Sequence, residues 1–281
     1  MGNEVYARLL ERLRGLNVAA VAFSGGADST LLLAAAKEAL GDRVLALTAV
    51  TPYMERQEVV DTLALASQLS VRHELVELDM PEGIDANPPE RCYICKRALY
   101  AKLLEVARES GFPQVLDGSN LDDLSDYRPG LRALREMEIE SPLLACKLSK
   151  ADVRRLSESL GLSTWNKPTN ACLLTRLPIG ARVSMEDLQR VEEAERFLKK
   201  RGYAWVRVRK HGNLARIEVA PEQRSQLLLD AEVVTETLAG FGFRHVTLDL
   251  LGYRLGSMNP DGTSGDRVVI PAFGRRDSEA S

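Results

Sequence analysis

The chain has 281 residues, with 37 Lys plus Arg against 40 Asp plus Glu and a net charge of −3. A protein whose main task is gripping phosphate backbones carries a basic excess, so nucleic acid is not the expected partner. No apolar run reaches the roughly 18 residues that span a bilayer, and the start of the chain has the form of neither a signal peptide nor a myristoylation signal, which predicts a cytoplasmic enzyme without a membrane partner.

In chain order, residues 4–16 read as a short leading helix. Val-Ala-Ala-Val-Ala-Phe at 18–23 is a continuous apolar run that fits a buried parallel strand. A helix follows from Thr30 to Leu40 and ends at Gly41. Strands are expected at 43–50, 72–78 and 115–117, with helices at 55–69, 96–109 and 150–160, the last capped by Ser149. Strands alternating with helices in this rhythm predict an α/β fold with a doubly wound parallel sheet. After about residue 168 the rhythm changes. A charged helix (184–201) precedes two alternating segments, 204–209 and 214–219, a helix at 222–238 and a strand at 245–249. The expected division is therefore 1–168, a smaller α+β domain at 169–273, and a polar, disordered tail at 274–281.

Ser24-Gly25-Gly26-Ala27-Asp28-Ser29 lies between the first strand and its helix. Glycines let the backbone approach a phosphate, while hydroxyls and amides at a helix N-terminus hold the anion. No Gly-Lys-Ser/Thr follows, so this is not the lysine-containing phosphate loop. It resembles the PP-loop of the ATP-pyrophosphatase families, which implies ATP cleavage between the α and β phosphates and an adenylated intermediate. Asp117-Gly118-Ser-Asn-Leu-Asp-Asp123 follows a later strand, where parallel sheets bind ligands, and resembles stretches of the same enzymes. Its carboxylates suit Mg²⁺, with Asp28 and Asp123 as the expected metal neighbours and Gly118 as a nucleotide contact. The plain alternative is an Asp/Asn turn with solvated charges.

Four cysteines make no disulfide framework in a chain of this length. Cys92-Tyr-Ile-Cys95 opens a helix, where thiols have lowered pKa values and are ready ligands. The pair leaves zinc, redox chemistry, an iron–sulfur cluster and coincidence open. Cys172, with Arg176 four residues on, is the third candidate; three thiolates without a fourth ligand suit a [4Fe–4S] cluster with one open iron. Cys146 has mostly apolar neighbours and reads as structural.

Taken with Cys-Tyr-x-Cys-Lys, Asp-Tyr-Arg-Pro-Gly at 126–130, Ala-Cys-Leu-x-x-Arg at 171–176, Arg207-Val-Arg209 with Ala215-Arg216-Ile-Glu218, and 251–259, the phosphate loop makes the chain similar to the LarE family over about residues 4–260. The resemblance implies an ATP-dependent sulfur transferase of nickel-pincer nucleotide synthesis. Its small-molecule substrate is pyridinium-3,5-biscarboxylate mononucleotide, whose carboxylates become thiocarboxylates. Adenylation turns a carboxylate into a mixed anhydride that a thiolate or cluster-bound sulfide can attack. In one version of the family the cysteine matching Cys172 surrenders its own sulfur. In the other, cysteines matching Cys92, Cys95 and Cys172 hold a cluster carrying an expendable sulfide; with all three present, the cluster is the favoured expectation. Arg207, Arg209 and Arg216 match a basic strand pair suited to an anionic nucleotide, with Glu218 beside them as a metal neighbour. Lys96 and Arg176 are expected to neutralise the adenylate. The relatives also imply a homo-oligomer, a hexamer. The competing readings are a PP-loop tRNA thiolase, disfavoured by the acidic balance; an amide-forming ligase, which leaves the cysteines without a task; and a nucleotide-binding regulator.

Overall fold

The computed structural model describes residues 2–124, 129–168 and 171–253. Asp126 to Arg128, positions 254–259 and the expected tail 274–281 lie outside them. The chain divides into two compact units, the first comprising 1–174 and 180–185, the second 175–179 and 186–281. Cys172 therefore belongs to the first unit.

The first unit runs α1 (Gly2–Arg14), β1 (Ala19–Ala22), α2 (Ala27–Leu40), β2 (Val44–Val50), α3 (Arg56–Gln68), β3 (Arg72–Glu77), α4 (Arg91–Glu109), β4 (Val115–Leu116), α5 (Pro129–Glu136), α6 (Pro142–Ala145) and α7 (Lys150–Ser159). The strands form one sheet in the order β3-β2-β1-β4, every pair parallel. Period-two alternation sends neighbouring residues to opposite faces. Ala19, Val21, Val44 and Ala46 pack with Leu9, Leu13, Leu31, Leu33 and Val153 from α1, α2 and α7. Ala20, Leu45 and Leu47 pack on the other face with Tyr100, Leu103 and Leu134 from α4 and α5. Both faces are covered, which is why β1 reads as an unbroken apolar run and β2 as one interrupted only by Thr48. At α7 the capping box is complete: Ser149 accepts from the Asp152 amide, and the Asp152 carboxylate accepts from the Ser149 amide.

Strand order reverses beside β1: β2 and β3 lie on one side of it and β4 on the other. The loops leaving β1 and β4 thus meet at a topological switch point, where open α/β sheets bind ligands.

The second unit contains α8 (Met185–Lys200, whose first residue groups with the first unit), β5 (Val206–His211), β6 (Leu214–Val219), α9 (Arg224–Leu229), α10 (Ala231–Gly240) and β7 (His245–Leu248). β5 and β6 form an antiparallel hairpin, and β7 joins β6 in parallel. The single helix expected at 222–238 is two, broken at Asp230. Its carboxylate accepts from Tyr203 Oη at 2.7 Å and Arg201 Nη2 at 3.0 Å, tertiary bonds that local helix propensity does not register.

Candidate active site

The phosphate loop is assembled by its own hydroxyls and by a glycine that must be one. Ser29 Oγ donates to the Gly26 carbonyl at 3.3 Å and accepts the Ser24 amide at 3.3 Å, and the two hydroxyls lie 3.1 Å apart. Gly25 has φ +68°, and a Cβ there would stand 2.9 Å from Thr62 Cγ2 of α3. Gly26 takes the N-cap position of α2 with no side-chain cap, so the helix's first amides are left for an anion. Just before the loop, Thr48 Oγ1 donates to the Phe23 carbonyl at 2.6 Å and bonds His73 Nε2 at 2.8 Å.

From the other side of the switch point comes the 117–123 loop. A Cβ on Gly118 would meet the Ser29 amide nitrogen at 3.1 Å, so the two loops touch backbone to backbone. Asn120 Nδ2 donates to Asp28 Oδ1 at 2.9 Å, and the Lys150 ammonium pairs with the other Asp28 oxygen. Asp117 is buried; it accepts from Tyr100 Oη and Ser119 Oγ, from the Ser119 amide at 2.7 Å, and from Lys96 Nζ at 3.3 Å. Burial opposes its ionisation, but the Lys96 ammonium and these donors outweigh it and hold the carboxyl below its ordinary range.

These elements enclose a cavity of about 440 Å³. Its polar lining holds Ser24, Gly26, Asp28, Ser29, Gly118 and Asp123; its apolar lining holds Phe23, Leu47, Leu99 and Leu103. Cys95, Lys96 and Cys172 complete the lining. A loop that starts 24 residues into the chain and a thiol at 172 thus face one cavity. Tyr53 links the two thiols' surroundings: its hydroxyl lies 3.1 Å from Cys95 Sγ, and its carbonyl accepts the amide of Leu173, next to Cys172, at 2.9 Å. Asn87 Nδ2 donates to the Leu174 carbonyl at 3.3 Å, fixing the segment after Cys172 a second time. Burial pushes the Cys95 thiol up, while the Tyr53 hydroxyl pulls the other way. Helix α4 begins at Arg91, a turn earlier than the 96–109 helix expected, so Cys92 and Cys95 both lie in its first turns.

Other expected site residues stand elsewhere. Cys92 is exposed and is not in the cavity lining. Among the described residues no group of three or more His, Cys, Asp or Glu is placed as a metal-ligand set. Arg176 is fully buried in the second unit, its Nε and Nη2 on the two Glu195 oxygens at 2.9 and 3.0 Å. Glu195 also accepts the Val208 amide at 3.0 Å. Buried though it is, the Arg176 guanidinium holds its carboxyl down at about 2. Also in the second unit, Arg209 and Arg216 each donate to Glu218 (2.9 and 3.0 Å), and Arg207 lies over the Tyr253 ring at 5.2 Å. Burial of Arg207, Arg209 and Glu218 reflects a charge cluster held by the protein itself. Cys146 is partly buried against the first core, in keeping with a structural residue. Asp117 was read from sequence as part of the 117–123 stretch, but its buried pairing with Lys96 and Tyr100 was not; Tyr53, Lys150 and Lys167 were not singled out as site residues, and of these Lys150, opening a capped helix, carried a local signal.

A Ser-Gly-Gly-x-Asp-Ser loop at the switch point of a parallel sheet defines a PP-loop ATP-binding protein, and the NAD synthase family pattern matches residues 10–86. Over 256 residues the chain is 38% identical to pyridinium-3,5-bisthiocarboxylic acid mononucleotide synthase of Lactiplantibacillus plantarum, covering 90% of this chain and 93% of that protein. It is 44% identical over 258 residues to an uncharacterized Synechocystis protein (89% and 96% covered) and 33% identical over 234 residues to one from Methanocaldococcus jannaschii (83% and 90%). The chain belongs to the pyridinium-3,5-bisthiocarboxylic acid mononucleotide synthase family, LarE.

Proposed function

We propose that this chain is an ATP-dependent sulfur transferase that adenylates a carboxylate of pyridinium-3,5-biscarboxylate mononucleotide and converts it to a thiocarboxylate. The observation carrying this reading is that the phosphate loop and Cys172 line one cavity. ATP binds with its adenine against the apolar lining and its phosphates on Ser24, Gly26 and Ser29. Asp28 and Asp123 supply hard oxygen ligands that fit Mg²⁺, which neutralises phosphate charge when bound. Lys96, held against Asp117, offers a cation to the acyl adenylate.

The carboxylate oxygen attacks the α-phosphorus and pyrophosphate leaves. Cys172 sulfur then attacks the acyl carbon, expelling AMP and leaving a thioester. Loss of the Cα proton and cleavage of the Cβ–S bond release the thiocarboxylate and leave dehydroalanine at 172. This route is written through Cys172's own sulfur because Cys92 stands outside the cavity. A cluster route requires Cys92, Cys95 and Cys172 on one centre.

Two assays test the reading together: substrate-dependent pyrophosphate release, and intact mass after turnover. A loss of about 34 Da, one hydrogen sulfide, supports sacrifice of Cys172. Unchanged mass with iron bound anaerobically supports the cluster route. Pyrophosphate release without any thiocarboxylate overturns sulfur transfer. We further propose a cytoplasmic homo-oligomer, a hexamer, to be checked by sedimentation equilibrium. Among the described residues no helix is long and apolar enough to cross a membrane.

A further inference from the structure

Lys167 lies five positions before Cys172, outside the cavity lining, yet it reaches the phosphate loop. Its ammonium donates to the Gly25 carbonyl at 3.2 Å and to Asp61 Oδ2 of α3 at 2.9 Å. Asp61 precedes Thr62, the residue packed against Gly25, so one turn of α3 supports the glycine and orients the lysine. The lysine's own backbone is set by a turn, Lys167 N–H to the Thr164 carbonyl at 3.0 Å, with Pro168 restricting the next φ.

The peptide between Gly25 and Gly26 has glycine on both sides, and rotating it meets less steric resistance than rotating any peptide with a Cβ beside it. In a trans peptide the carbonyl and the following N–H point in opposite directions. An ammonium holding the Gly25 carbonyl therefore turns the Gly26 N–H away from Lys167, and Gly26 lines the cavity.

We infer that Lys167 is a positioning residue: it locks the Gly25–Gly26 peptide in the orientation that presents an amide to the nucleotide's phosphates. This rests on the ATP-binding part of the reading above and on none of its sulfur chemistry.

The test is calorimetric titration of the full-length protein with α,β-methylene-ATP plus Mg²⁺, and separately with adenosine, which has no phosphate. Lys167→Gln is expected to weaken the ATP analogue about ten-fold or more, leave adenosine unchanged, and melt at the wild-type temperature. Lys167→Arg restores analogue affinity to within a few-fold. Lys167→Met, neutral and of similar length, repeats the measurement should the glutamine variant be poorly folded. Unchanged analogue affinity in the neutral variants, or equal weakening of analogue and adenosine, overturns the inference. Wild-type protein that fails to bind the analogue refutes ATP binding itself, whereas wild-type protein that binds it but forms no thiocarboxylate refutes only the sulfur chemistry.

Discussion

Replacing Arg176 with Met removes both guanidinium donors from Glu195, leaving only the Val208 amide to a carboxylate in a site where neither side chain exceeds 1% exposure. Breaking a buried ion pair from one side costs about 3–5 kcal/mol, because the remaining charge must be buried unpaired or take up a proton. The pH linkage gives a similar scale. Glu195 drops from 4.5 to about 2 on folding, worth about 3 kcal/mol. A depressed carboxyl stabilises above its unfolded value, so that contribution is present above pH 4.5 and is lost as pH falls towards about 2. The chain has two tryptophans, Trp165 in the first unit and Trp205 in the second, so urea unfolding in a Trp165→Phe background reports the second unit alone. Arg176→Met is expected to lower the Trp205 transition by about 3–5 kcal/mol at pH 7. Pairing it with Glu195→Leu recovers all but the roughly 1–3 kcal/mol of the orphaned Val208 amide. An Arg176→Met protein whose transition stays within about 0.5 kcal/mol of wild type while turnover collapses would refute this account and return Arg176 to the chemistry.

Gly118→Ala pushes a methyl towards the Ser29 amide, 3.1 Å from the added carbon; the loops must separate, and the KM for ATP should rise at least several-fold with a stability loss of about 1–3 kcal/mol, read by pyrophosphate release and thermal melting. Tyr53→Phe deletes the hydroxyl that lowers the Cys95 pKa against burial, so Cys95 alkylation at pH 8 should slow; a faster rate contradicts the assigned bond. Asp117→Asn removes a carboxylate held below 3.8. The stabilisation it provides is present above that value and fades as pH falls through the folded pKa. Wild type and variant should therefore differ in stability at pH 7, with the difference shrinking as pH falls below 3.8, as followed by denaturant unfolding.

The strand–loop–helix around Ser24–Ser29, the alternating parallel architecture and the cap at Ser149 were legible in sequence because each depends on residues within a few positions of one another. Gly25 and Gly26 announce a backbone that must approach something closely, whatever surrounds it. Helices α5 and α6 went unread. One opens at Pro129 within a stretch carrying a recognition motif, and the other is a single turn started by Pro142, too short for helical periodicity to register. What the site requires beyond the loop comes from contacts far apart in the chain: Asn120 to Asp28 across 92 residues, Lys150 to Asp28 across 122, Lys167 to Gly25 across 142. Arg176 shows the same limit from the other side. An arginine four residues after a cysteine reads as an anion partner, and only packing against α8, which buries Glu195 beside it, makes it a structural ion pair. Periodicity and glycine placement encode local conformation, which neighbouring residues decide. Which charges are neutralised, and which thiol reaches the phosphates, depends on distances that exist only once the sheet has closed its switch point.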